Sequence, residues 1–421
     1  MIKSLDKKLK EIRANPASRE FIIADAKDAD MAHGVRAPGP RFYLSAHGAH
    51  AAQFSPEVWT REEYGHRNLP EFLDIIREVT RQGIVDIMLM SASVTERLAI
   101  QEGLFKGSRV TPAARANDAT DIWAIRNGAY VAEPSRPFRS ATIDHIQCGK
   151  IECDRASDEF PGANLGLYSV TFTNRLDLDM ATLRAFKEFR EEAERKKFRY
   201  FLEVFDPNVP SGVPPEKLGE FINDNIIRSL AGVTEAGRPL FLKIAYHGPR
   251  FMEELAQYDP KLVVGVLGGS AGTTYDAFKL IHDAQKYGAR VALFGRKINN
   301  AEHQLGFIEM LRMITDGRIG PEEAVRAYHD LLAKMKIRPK LSLEKDLETT
   351  DVAMSYGGGG GTVRITGAGR APASLPAGKG KTAGVPKGDW PTLSNGAPDF
   401  AKMTSQQRAD YHRARLSKKY G

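Results

Sequence analysis

From Leu165 to Gly317 the chain alternates short apolar runs with longer stretches of helical periodicity, five times over and at a nearly constant pitch. The apolar runs are LGLYSVTFTN (165–174), FRYFLEVFD (198–206), RPLFLKIAY (238–246), KLVVGVLGG (261–269) and ARVALFGRK (289–297). Each is too short for a globular helix and nearly continuous in apolar character, as expected of a strand buried on both faces. Amphipathic stretches at 178–197, 216–232, 249–258, 273–288 and 302–317 follow them, with a further helix at 321–335. Repeated strand-then-helix units mean parallel strands joined by crossover helices. Lys243, Gly268 and Gly295 lie 25 and 27 residues apart, about one unit each. An open doubly wound sheet would show the same alternation. A closed (β/α)8 TIM barrel is favoured because polar residues gather at the C-terminal ends of several different strands, where barrels build their sites.

The N-terminal half fits the same scheme less cleanly. RFYLSAHG (41–48) reads as the first strand, 68–83 as an amphipathic helix stopped by Gly83, and IVDIMLMSA (84–92) as a second buried strand. The stretch 106–160 holds a third strand and an inserted hairpin. Residues 1–40 then form a short helix and entry segment, and 41–345 the barrel. The Gly/Pro-rich run 346–398 forms a flexible linker, and 399–421 a short basic helix capped by Thr404 or Ser405.

A pI near 9.1 and a net charge of +7 suggest a nucleic-acid protein, but the charge is localised. From Tyr356 onward there are 11 Lys and Arg against Asp389, Asp399 and Asp410, so the body of the chain is close to neutral. The tail, not the barrel, is the part fitted to an anionic surface or an assembly partner. Cys148 and Cys153 lack a second Cys/His pair to complete a metal site and read as two ordinary thiols of a reducing compartment. The charged N-terminus has no apolar signal core, and no run approaches a membrane span. These features point to a cytoplasmic protein with no membrane span.

Three charged residues interrupt apolar strands: Asp86 in IVDIMLM, Glu203 in YFLEVFD and Lys243 in LFLKIAY. A buried ammonium must be paired or give up its proton, and a neutral amine is what a Schiff-base nucleophile requires. Glu203, one unit earlier on the neighbouring strand, suits either a plain ion pair or a proton carrier for that amine. GVLGGSAGTT (265–274) and LFGRKI (293–298) follow the seventh and eighth strands, where barrels frequently hold phosphate. Gly268, Gly269 and Ser270 would form one turn, and Gly295 and Arg296 the other. His47, after the first predicted strand, and Tyr168, on the fourth, are further substrate-binding candidates. Arg115, Asn117 and Asp118 lie where the third strand is expected.

These segments resemble the DeoC/LacD-type class I aldolases, nearest to the tagatose-bisphosphate and archaeal-type fructose-bisphosphate members. FLKIAY resembles the strand that carries their Schiff-base lysine, which falls on Lys243, and YFLEVFD the strand whose glutamate falls on Glu203. GVLGGSAG and LFGRKI resemble their two phosphate-binding turns. The first-strand Asp-His-Gly motif of the fructose-bisphosphate members here reads Ala46-His47-Gly48, without the aspartate. The resemblance implies a lyase that forms a lysine Schiff base with a phosphorylated sugar, needs no cofactor or metal, and assembles as a homo-oligomer. It also allows a transaldolase- or thiolase-like transfer through the same lysine. A barrel kept as a scaffold, with the basic tail as its working part, is the non-catalytic alternative.

Overall fold

The computed structural model describes residues 2–15, 17–40, 66–154, 156, 159–269, 272–350 and, near the C-terminus, 390–392, 399, 402–404, 406–407 and 410–411. Eight parallel strands close into a barrel: β1 (Ile22–Lys27), β2 (Ile87–Met90), β3 (Thr111–Arg115), β6 (Leu165–Thr171), β7 (Arg199–Phe205), β8 (Leu242–Ile244), β9 (Gly265–Leu267) and β10 (Val291–Phe294). β10 pairs with β1, which completes the circle. A two-stranded antiparallel hairpin, β4 (Asp118–Ala119) and β5 (Pro137–Phe138), is inserted after β3, as the sequence led one to expect for 106–160.

The helices are α1 (Ser4–Ala14), α2 (Asp30–His33), α3 (Leu69–Gln82), α4 (Ala92–Thr95), α5 (Ile143–Cys148), α6 (Leu176–Arg195), α7 (Leu218–Leu230), α8 (Pro249–Tyr258), α9 (Thr274–Lys286), α10 (Arg296–Asn299), α11 (Gln304–Thr315), α12 (Pro321–Lys334) and α13 (Leu343–Asp346). α3 shows how local sequence sets such bounds. Asn68 and Glu71 form a reciprocal capping box, Pro70 sits in the first turn, and Gly83 ends the helix at φ 69°.

The first barrel strand differs from the reading above. It is Ile22–Lys27, inside the stretch read as an entry segment, whereas 41–48 lies outside the described residues. Asp25 and Lys27 broke the apolar run that would have marked it. The Lys27 ammonium lies 2.7 Å from both oxygens of Asp25, and both side chains are fully buried. Burial pulls the Lys27 amine down and the Asp25 carboxylate holds it up, which is how two charges persist in an apolar wall.

The barrel's lower end is closed by α1. Leu5, Leu9 and Ile12, spaced along one helical face, pack with the inward residues Ile22, Ile87, Leu165, Phe201, Phe241 and Val291. Asp86, immediately before β2, belongs to this end. Its Oδ2 accepts from the Ile23 amide (2.9 Å), Lys8 (3.0 Å) and Arg312 of α11 (2.8 Å). The catalytic expectation for Asp86 is therefore corrected: it ties helix to barrel at the end opposite the strand C-termini. Asp86→Asn should lower unfolding free energy by about 2–3 kcal/mol, read as a shifted denaturant midpoint, with the far end of the barrel unaffected.

Cys148 and Cys153, read as free thiols, form a disulfide. Gly149 in the left-handed region (φ 73°) turns the chain back after α5, and the Cys153 amide donates to Asp144, so the sulfurs meet. Contacts with the barrel also run past the boundary at 345, as far as Thr350, whose hydroxyl donates to Asp276 (2.6 Å). In the C-terminal unit, Gly367–Gly421, Trp390 meets Tyr411 edge-on at 5.3 Å; most of the predicted linker and basic helix lies outside the described residues. Among the described residues no helix is long and apolar enough to cross a membrane.

Candidate active site at the mouth of the barrel

Parallel register sets Ser169, Glu203 and Lys243 at one level on β6, β7 and β8. Their side chains turn into the barrel, above the layer made by Leu167 and Phe201. Lys243 (3% exposed) is ion-paired with Oε1 of Glu203 (0%). The other carboxylate oxygen, Oε2, accepts from the Ser169 hydroxyl at 2.7 Å and lies 3.6 Å from a guanidinium nitrogen of Arg115. Arg115, the last residue of β3, donates to Ser169 Oγ (3.1 Å) and to Asp28, just past β1 (2.6 Å). A continuous line of charge, Asp28–Arg115–Glu203–Lys243, thus crosses the barrel from its first strand to its sixth.

The line alternates in sign, so each ion has an opposite neighbour in a water-poor interior, and Ser169 holds one Glu203 oxygen in place. Asp28 neutralises Arg115 from one side, leaving Glu203 to serve the lysine on the other. Above this layer Thr171 donates to Asp121 (2.8 Å), whose carboxyl is pushed up by burial and also accepts from Ser135. The inserted hairpin is thereby fastened to the barrel mouth. Asn117 exchanges hydrogen bonds with the backbone of Ser169 (2.7 and 2.8 Å). Asp118 takes the Ser140 hydroxyl (2.7 Å) and braces the hairpin.

At the two glycine turns, a Cβ on Gly268 would run into the Phe294 ring, and one on Gly295 would come within 3.2 Å of Ala26. Gly269 adopts φ 61°. Ser270 lies outside the described residues. Glycine is thus required at 268 by crowding and at 269 by backbone conformation. Gly268→Ala should cost about 1–3 kcal/mol through displacement of Phe294, measured by thermal or denaturant unfolding. Lys297, which the sequence reading passed over, reaches from the second turn to the carbonyl of Gly272 in the first. Burial brings its ammonium down to about 8 against the pull of Asp346 and Asp276. The first amides of α9 are already taken: Thr273 donates to Asp276 (2.8 Å) and Thr274 to Asp346 (2.7 Å).

One substrate-binding candidate does not join this group. Tyr168 points outward, because its neighbour Ser169 takes the inward position. It stacks on Phe189 at 4.3 Å and meets Phe186 at 5.3 Å beneath α6, where burial pushes its phenol up. His47 lies outside the described residues. Asp28 and Ser169 were missed. The inward hydroxyls Ser169, Thr171 and Thr173, spaced by two along one strand, were the available signal.

No protein-family model matches the chain, and neither does any curated protein. Among solved structures, that of an archaeal fructose 1,6-bisphosphate aldolase is similar at a TM-score of 0.50 and 15% identity, covering 75% of this chain and 100% of that one. A Schiff base forming fructose-1,6-bisphosphate aldolase, analysed through its reaction intermediates, gives 0.49 and 16% over 74% of this chain and 100% of the other. An archaeal fructose-1,6-bisphosphate aldolase with its catalytic lysine covalently bound to the carbinolamine intermediate gives 0.48 and 15% over 74% and 99%. At such identities the likeness is one of fold. The chain is a (β/α)8 barrel with a buried lysine–glutamate pair at its mouth. The three solved structures just named are fructose 1,6-bisphosphate aldolases.

Proposed function

We propose that the chain is a class I aldolase that forms a Schiff base between Lys243 and a phosphorylated ketose or related sugar phosphate. The observation that carries this reading is the Lys243–Glu203 pair, buried side by side at one register on adjacent strands at the barrel mouth. Lys243 attacks the substrate carbonyl, giving a carbinolamine that loses water to an iminium. Glu203 accepts and returns the protons of these steps. It then takes the proton of the hydroxyl next to the scissile bond. The bond's electron pair moves into the iminium, an enamine forms, and an aldehyde leaves. Protonation of the enamine and hydrolysis release the second product and restore the amine. Gly268, Gly269, Ser270, Gly295 and Arg296 hold the phosphate and fix the carbonyl beside the lysine.

The same reading makes the protein a cytoplasmic homo-oligomer whose basic tail meets an anionic or assembly partner. Borohydride reduction in the presence of dihydroxyacetone phosphate and a panel of ketose phosphates tests it by intact mass. A stable adduct on Lys243 is expected. Its absence with every member of the panel would overturn the reading. Products formed only when an aldehyde or acyl acceptor is present would identify transfer through the same lysine instead of simple cleavage.

A further inference from the structure

We propose that His247, held by Asp206, is a second catalytic group of the lysine site: the carrier that moves a proton to and from the substrate carbon next to the Schiff base. The inference rests on the aldolase reading and supplies the step which that reading leaves without a residue, protonation of the enamine. Nε2 of His247 lies 2.9 Å from Oδ1 of Asp206, and the two side chains are only 4% and 6% exposed. Among the described residues this is the only side-chain hydrogen bond of either, so Nδ1 of the ring and Oδ2 of the carboxylate both stay open.

The fold puts this pair beside the lysine. β7 carries Glu203 and runs on to Asp206; β8 carries Lys243 and runs on to His247. Register pairs Glu203 with Lys243, so the two continuations leave the barrel as neighbours at its C-terminal end. His247 follows Lys243 by four positions, at most about 13 Å along an extended chain. The chain has little freedom there, because β8 ends at Ile244 and α8 begins at Pro249. Tyr246 turns outward, where burial pushes its phenol up and Asp283 of α9 and Glu253 of α8 add to the push. His247, next in line, takes the side of the mouth. Beyond Asp206, Asn208 accepts from the Ser135 amide (3.1 Å) and donates to the carbonyls of Glu133 (2.7 Å) and Val131 (3.2 Å). Asp206 thus lies where the inserted segment meets the barrel mouth.

The other acids at the mouth are committed: Glu203 to Lys243 and Ser169, Asp28 to Arg115, and Asp121 to Thr171 and Ser135. A carboxylate only accepts, so Nε2 carries the hydrogen and Nδ1 the lone pair, the arrangement of a base oriented by an acid. In the condensation direction, the Lys243 iminium of dihydroxyacetone phosphate loses a proton from its adjacent carbon to Nδ1. The C–H electron pair becomes the enamine double bond, and the iminium π pair returns to nitrogen. In cleavage the ring, now imidazolium, gives that proton back to the enamine carbon. Asp206 balances the charge while the ring holds it. Glu203 keeps the protons on nitrogen and oxygen, and His247 takes the one on carbon.

The test is deuterium exchange from heavy water into dihydroxyacetone phosphate, followed by NMR, beside borohydride trapping of the same compound. Full-length wild type, His247→Gln and Asp206→Asn are compared. Exchange needs only the iminium and enamine, and no aldehyde. The glutamine amide can still donate to Asp206 but cannot carry a proton. His247→Gln should trap the adduct to completion while exchange and kcat fall by roughly 10²-fold or more. Asp206→Asn removes the acceptor that fixes the ring, and should lower exchange by at least about tenfold with trapping again intact. Exchange at the wild-type rate in His247→Gln, with trapping intact in wild type, sinks this assignment alone. Trapping and exchange lost together in both variants would overturn it as well, since the pair would then only hold the shape of the site. Wild type that traps no ketose phosphate defeats the aldolase reading, and this assignment falls with it.

Discussion

Lys243→Met should abolish the borohydride-trapped adduct and reduce turnover by roughly 10⁴- to 10⁶-fold, the scale on which a covalent nucleophile's loss is felt. Methionine matches lysine in length and apolar stem, so the barrel wall stays filled. What disappears is the amine, and with it the electron sink that makes carbon–carbon cleavage accessible. The substitution also leaves Glu203 facing Arg115 alone across Ser169. The folded variant should therefore survive, and its stability should fall by less than the roughly 3–5 kcal/mol of a carboxylate stripped of every partner. Intact mass after reduction, beside a denaturant melt, separates the two effects. A variant that is folded yet still trapped would move the nucleophile to another lysine, and Lys27 is the other fully buried lysine among the described residues.

Glu203→Gln should lower turnover by about 10²- to 10⁴-fold while keeping the shape of the site. The amide can still accept from Ser169, but it neither carries a proton nor balances charge. Arg115 keeps Asp28, whereas Lys243 loses the carboxylate bonded to its ammonium. If Glu203 is the proton carrier, the loss falls on kcat. Trapping of the Schiff base should slow yet still reach completion. A loss confined to KM, with kcat intact, would reduce Glu203 to a structural counter-ion.

Much of this arrangement can be read from the chain, for identifiable reasons. From β6 to β10 the strands are nearly uninterrupted apolar runs, so their order, parallel direction and the placement of Glu203 and Lys243 on neighbours follow from periodicity. β1 was hidden because it carries its own ion pair; charge at Asp25 and Lys27 looks like surface until the partner is seen. Asp86 shows a different limit. A charged residue beside an apolar run marks a strand end without saying which end, and in a parallel barrel the two ends do unrelated work. Tyr168 failed by one residue, since the two faces of a strand alternate and both faces of β6 are buried. The Cys148–Cys153 bond depended on a glycine turn that spacing alone did not disclose. Arg115 stood among the third-strand residues, but its partners Asp28 and Ser169 lie 87 and 54 positions away, a distance only the fold can close.

The helix that seals the lower end of the barrel precedes every barrel strand in the chain, yet its socket is completed by the last of them. Leu5, Leu9 and Ile12 leave the ribosome before any of the barrel strands, yet their socket is walled partly by Val291 and Leu293, near the end of the barrel sequence. Asp86 likewise waits for Arg312 to complete its set of donors. During synthesis the leading segment therefore carries an uncovered apolar stripe for nearly three hundred residues, and the chain's last strand releases it from that exposure. Closure of the β1–β10 seam therefore also completes the burial of α1, and a nascent chain that stops before β10 leaves part of that helix's apolar stripe uncovered.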